Sequence, residues 1–178
     1  MNPSDEHALA ARLLTGLRQE PQDLARWALW SDTRALYGIV CTHGAALLAD
    51  ILDSSGELQR PVLTPEGAPE TWLGAVPVVV RFTRGGSALR RMLDAAIGTP
   101  WGVFARSTAS FDAVHAHIVA LHHRCEAQGI PAATLFEPGQ WMRLLATLEG
   151  DAREELFGPV GQWVVGPNAE GELLPLQR

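Results

Sequence analysis

The sequence predicts one α/β domain, a mixed and mostly parallel sheet of about five short strands flanked by helices, with a pair of helices ahead of the first strand. Three observations predict it. Short β-branched runs such as residues 77–82 alternate with segments of helical period, the mark of strand–helix–strand units. At 178 residues and 47% hydrophobic, the chain can bury one substantial core. The first helical period falls before the first apolar run, so residues 1–34 read as an N-terminal helical extension. Residues 35–166 then form the α/β domain, and 167–178, with Pro and Gly, a loose tail.

Each element has its own signal. Ser4 or Asp5 can cap a helix that places Leu9, Leu13 and Leu17 on one face. Pro21 opens a second helix with a Leu24, Trp27, Trp30 stripe. Residues 36–41 are a compact strand, and 45–52 return to helix. Residues 53–71 carry Gly, Pro, Ser and charge and read as a long surface connection. Residues 77–82 are the clearest strand. Ser87 can cap a helix over 89–97, which Gly98 and Pro100 end. Residues 101–106 are the next strand, and a long helix runs from Ser110 or Asp112 to Gly129. Residues 133–136 read as a brief strand and Pro138 opens a helix through Trp141, Leu144 and Leu148. Asp151 caps a short helix to Leu156, and 161–165 are a last strand.

Composition narrows the function. With 20 acidic against 14 basic residues, the net charge of −6 argues against a nucleic-acid binder, which needs a basic surface to offset phosphate. All the basic residues are Arg, as expected either from a GC-rich genome or from planar, bidentate contacts at interfaces. Two cysteines, Cys41 and Cys125, make no disulfide framework. The polar N-terminus has no apolar leader, and no apolar run approaches the roughly 20 residues of a membrane helix. A cytoplasmic protein with reduced thiols is the expectation.

The residues that could carry chemistry fit no complete motif. Of His115, His117, His122, His123 and Cys125, only the pair His122–Cys125 has ligand spacing on one helical face, and two ligands do not close a zinc site. Cys41-Thr42-His43 puts a thiol and an imidazole two residues apart on a strand, a geometry that seldom orients a base on a nucleophile; a small buried thiol packing as a hydrophobe explains Cys41. Thr83-Arg84-Gly85-Gly86-Ser87 sits between strand and helix where anions bind, yet lacks the spacing of a dinucleotide fingerprint and the lysine of a P-loop. Glu149, Asp151, Glu154 and Glu155 read as a solvated helix surface. No catalytic residue, metal ligand or cofactor is expected.

The six tryptophans are more suggestive, because Trp and Arg dominate protein–protein hot spots, although core packing is the plainer use of them. Partner contacts are therefore assigned to Trp27, Trp30, Trp101 and Trp141 with Arg90, Arg91 and Arg143.

Five motifs also occur in a characteristic order: Leu36-Tyr37-Gly38-Ile39-Val40; the link from Val62-Leu63-Thr64-Pro65 into Val78-Val79-Val80; Pro100-Trp101-Gly102-Val103-Phe104 followed by Phe111-Asp112; Leu135-Phe136-Glu137-Pro138; and Leu156-Phe157-Gly158-Pro159-Val160. In that order they resemble the adaptor, or effector-chaperone, family of the bacterial type VI secretion system. The resemblance implies a cytoplasmic chaperone that binds a secreted effector protein and helps load it onto the spike protein, and its motifs add Arg106, Glu137 and Gln140 to the expected partner contacts. Two departures stand out. Cys41 stands where members often have an acidic residue, and Glu137-Pro138-Gly139-Gln140 stands for an Asp-Pro-Arg triplet, which removes a charge-assisted donor. An immunity-type protein that neutralises a toxin, and a small metal-dependent enzyme around Cys41, His43, His122 and Cys125, are the alternatives.

Overall fold

The computed structural model describes residues 29–30, 33–41, 46–63, 76–95, 101–127, 129–130, 132–165 and 174–177. The predicted first N-terminal helix, the second as far as residue 28 with Trp27, and His43 lie outside them. Six strands form one sheet: β1 (Ala35–Val40), β2 (Leu58–Pro61), β3 (Val78–Phe82), β4 (Gly102–Ser107), β5 (Gln162–Val165) and β6 (Leu174–Gln177), in the spatial order β2-β3-β1-β4-β5-β6. The helices are α1 (Ala46–Asp53), α2 (Ser87–Ala95), α3 (Phe111–Ala127), α4 (Ala132–Leu135), α5 (Pro138–Thr147) and α6 (Gly150–Phe157).

Every neighbouring pair of strands is antiparallel, which corrects the expected mostly parallel sheet. The strand–helix–strand cadence is real, but it does not join neighbours. The β3–α2–β4 crossover leaves β3 and β4 parallel to each other with β1 inserted between them, antiparallel to both. The excursion from β4 through α3, α4, α5 and α6 returns as β5, on the adjacent track in the opposite direction.

Successive side chains of a strand point to opposite faces, so one register builds two cores. From β1, β3, β4 and β5, Leu36, Val40, Val80, Phe82, Phe104 and Val164 meet α1 and α2, through Leu48, Ile51, Leu52, Leu89 and Met92. Tyr37, Ile39, Val79, Val103, Ala105, Trp163 and Val165 face the other way, onto α3 to α6. There α3 presents Phe111, Val114, Ile118, Leu121, His122 and Cys125 at helical spacing. The molecule is therefore a helix–sheet–helix sandwich, with β1 and β4 covered on both faces.

Two close approaches fix this arrangement. A Cβ on Gly38 would stand 2.7 Å from Cε2 of Phe82, so the Phe82 ring lies over the middle of β1. A Cβ on Gly102 would stand 2.0 Å from the backbone oxygen of Ile39, so only glycine lets β4 begin where it does, next to the Cys41 N–H that donates to the Trp101 carbonyl at 2.6 Å.

Further expectations need correction. The connection over 53–71 contains β2, whose polar Leu-Gln-Arg-Pro sequence is an edge strand held by its pairing with β3 rather than by composition. Residues 133–136 do not make a strand: the single turn α4 and its exit let consecutive Leu135 and Phe136 both enter the same core, whereas a strand would part them. The tail expected to be loose includes β6, paired with β5. Leu29, near the end of the N-terminal extension, is buried with α1 and α2.

Candidate functional site

At one end of the sheet, where β1 begins and β3 finishes, the chain leaves a cleft of about 580 Å³. Trp30, Phe82 and Leu58 supply its apolar lining, and Arg34, Arg81 and Arg84 its polar rim. Leu58 is 50% exposed, one of two large apolar side chains so open among the described residues. β2 brings it there: Leu58 is the strand's first residue and pairs with Arg81.

The rim is built rather than incidental. The Glu57 carboxylate accepts from the Thr83 N–H at 2.9 Å and the Thr83 hydroxyl at 2.7 Å, tying the entrance of β2 to the turn after β3. That turn closes when the Gly86 N–H donates to the Thr83 carbonyl. Arg84 donates to the Trp30 carbonyl at 2.6 Å and stacks its guanidinium 5.6 Å from the Trp30 ring centre. From inside, Arg106 donates to the Leu29 carbonyl at 3.1 Å and to Gln162, which also accepts from Arg34. Three arginines from three segments thus hold residues 29–30 and the rim of the cleft.

Guanidinium groups stay charged at any physiological pH, so this rim can hold an anion but cannot exchange protons. Their planar donors suit carboxylates, and the aromatic lining suits an apolar or aromatic side chain beside one. In a chain of net charge −6, such a cleft is a local reversal of sign.

The residues assigned to partner contact from sequence do not form one surface. Trp30 lines the cleft. Arg90 and Arg91 are exposed on α2, where Arg91 donates to Ser54 at the end of α1. Glu137, Gln140 and Arg143 belong to the opposite side of the sheet, on or beside α5; Arg143 is exposed and donates back to the Gly139 carbonyl. Trp101 and Trp141 are buried core residues: Trp101 packs edge-on against Phe104, and Trp141 contacts Trp163 at 4.6 Å between ring centres. Arg106 is buried and serves internally, as above. Arg34, Leu58 and Arg81 carried no sequence signal. Arg84 had one, in the Thr83–Ser87 loop whose position suits an anion.

Reactive side chains are muted. Burial, with the nearby Glu137 charge, pushes the Cys41 thiol up to about 12, so it is not a thiolate nucleophile near neutral pH. Burial likewise raises Cys125. Burial holds His117 below the ordinary imidazole range, with Arg124 in the same direction and its bond to the Leu156 carbonyl opposing. One group among the described residues gathers three possible ligand atoms, and it is not the His122–Cys125 pair. His122, His123 and Glu126 have theirs within 4.8 Å of one another. No helix among the described residues is long and apolar enough to cross a membrane.

Comparison with known families, curated proteins and solved structures found no match. What the geometry defines is a class: an antiparallel α/β sandwich with a cationic, aromatic-lined cleft.

Proposed function

We propose that the protein is a non-enzymatic cytoplasmic adaptor that binds a cognate secreted effector and helps load it onto the type VI spike protein, with the arginine-rimmed cleft as part of its effector contact. The order of the five sequence motifs supplies the class. The observation that carries the binding role is the cleft itself, where Arg34, Arg81 and Arg84 surround Trp30, Leu58 and Phe82. Arg and Trp are the residues that dominate protein–protein hot spots, and the rim favours an acidic stretch of the effector carrying an apolar anchor. Nucleic acid is disfavoured by the net charge.

Binding of the purified protein to the product of a neighbouring effector gene tests this. The double variant Arg81→Glu, Leu58→Asp is expected to weaken the complex at least ~10-fold, since it reverses one rim charge and removes the exposed apolar contact. Both side chains are exposed, so folding is expected to survive. An unchanged affinity would remove the cleft from the contact. If the effector kills cells unless this protein is present, neutralisation replaces loading as the role.

A further inference from the structure

The outer end of α3 holds a second site with a different chemistry. His122 lies one helical turn before Glu126 at i, i+4, and His123 at i, i+3, so both imidazoles flank the same carboxylate. The two rings stand nearly perpendicular, their centres 5.7 Å apart. His122 is 1% exposed, yet neither of its ring nitrogens has a hydrogen-bond partner. A buried imidazole of that kind is costly, because a donor and an acceptor have both left water without compensation. His123 and Glu126 are exposed and free to adjust.

We propose that His122, His123 and Glu126 bind one divalent transition-metal ion of the zinc class, through two imidazole nitrogens and one carboxylate oxygen. The donor set suits such an ion: neutral imidazole with carboxylate selects zinc and its neighbours over calcium or magnesium, which prefer all-oxygen shells. In a tetrahedral shell, two donors about 2.1 Å from one ion stand about 3.4 Å apart. The three donor atoms here lie within 4.8 Å of one another, so rotation of the exposed His123 and Glu126 side chains by up to about 1.4 Å closes the set. Three protein ligands leave a fourth position open to water or to a donor from another molecule. This site is independent of the cleft and of the adaptor reading: the cleft lies among β1, β2 and β3, the metal group at the far end of α3.

The full chain, without a polyhistidine tag and stripped of metal by chelator and dialysis, is titrated with zinc ion alone by calorimetry, and the dialysed product is assayed for bound metal. One zinc per chain with micromolar or tighter affinity is expected. Since His122→Ala opens a cavity in the core and can unfold the chain, the decisive variants are the exposed His123→Ala and Glu126→Gln, each checked by circular dichroism. Each is expected to weaken zinc binding at least ~10-fold, the loss expected when even an outer partner of a metal site is removed. Glu149→Gln, an exposed carboxylate elsewhere, is expected to leave it unchanged. Absence of saturable binding in the wild type overturns the proposal, and so does binding that survives both variants at full strength.

Discussion

Replacing Gly102 by alanine tests the packing of the sheet's centre. The added methyl would stand 2.0 Å from the Ile39 oxygen and 3.0 Å from its carbonyl carbon, both backbone atoms of the central strand. No side chain can swing away, so β1 and β4 must part by about an ångström or more to restore ordinary contact. That shift overpacks a filled core at about 1–3 kcal/mol. It strains the Cys41-to-Trp101 backbone bond beside it, worth about 1 kcal/mol. It also forces an L-residue to φ +156°, at about 1 kcal/mol. The sum, about 3–5 kcal/mol, is a large share of the ~5–15 kcal/mol that stabilises a typical domain. For a chain of 178 residues it lowers Tm by roughly 6–20 °C at about 2–4 °C per kcal/mol. Urea denaturation followed by tryptophan fluorescence measures it. Gly139→Ala is the companion: Gly139 lies in the first turn of α5 with only the Arg143 guanidinium as near as 4.0 Å, so the added methyl is expected to be neutral or to stabilise by up to about 1 kcal/mol. A Gly102→Ala protein within about 0.5 kcal/mol of wild type would refute the reasoning about the sheet's register.

Other perturbations follow from the same contacts. Gly158 has φ +47°, and a Cβ there would strike the His117 ring at 2.4 Å; Gly158→Ala is therefore expected to cost about 2–4 kcal/mol, and His117→Ala to recover part of that in a double-mutant cycle, whereas strict additivity would contradict the contact. Trp141→Ala, which empties a core site against Phe136 and Trp163, is expected to lose about 3–5 kcal/mol in chemical denaturation; a loss confined to partner binding would instead place Trp141 at the surface. Burial depresses both His117 and His122, so below about pH 6.5 the unfolded chain takes up protons that the folded one resists, and stability present above that pH is lost as pH falls toward the folded values. Tm is thus expected to be lower at pH 5.5 than at pH 7.5, and an equal or higher Tm at the lower pH would contradict it.

The elements that announce themselves are those whose composition does the folding. β1, β3 and β4 are compact apolar runs because helices cover them on both faces, and α3 shows its period because one stripe is buried. Strand direction is another matter. A β–α–β pattern specifies that β3 and β4 are parallel, but only long-range pairing decides that β1 lies between them. β2 is invisible for a related reason, since Gln59, Arg60 and Pro61 carry no strand signal and hold their conformation through β3. The site was harder still. A tryptophan count cannot separate Trp30, at a cleft, from Trp101 and Trp141, sealed in the core. Arg34, Leu58 and Arg81 come from segments far apart in sequence, and only the sheet brings them together. The metal group was within reach: the i, i+3 and i, i+4 relations of both histidines to Glu126 are plain in the sequence once a carboxylate is admitted beside His122 and Cys125.

Deletion of the gene, with the neighbouring effector followed by immunoblot in cell lysate and culture supernatant, tests the central claim most directly. The adaptor account expects the effector to be unstable or retained in the cell without this protein, to be secreted again on complementation, and to stay retained when the complementing copy carries Arg81→Glu and Leu58→Asp. An effector that remains stable, soluble and secreted at the wild-type level in the deletion strain would contradict it.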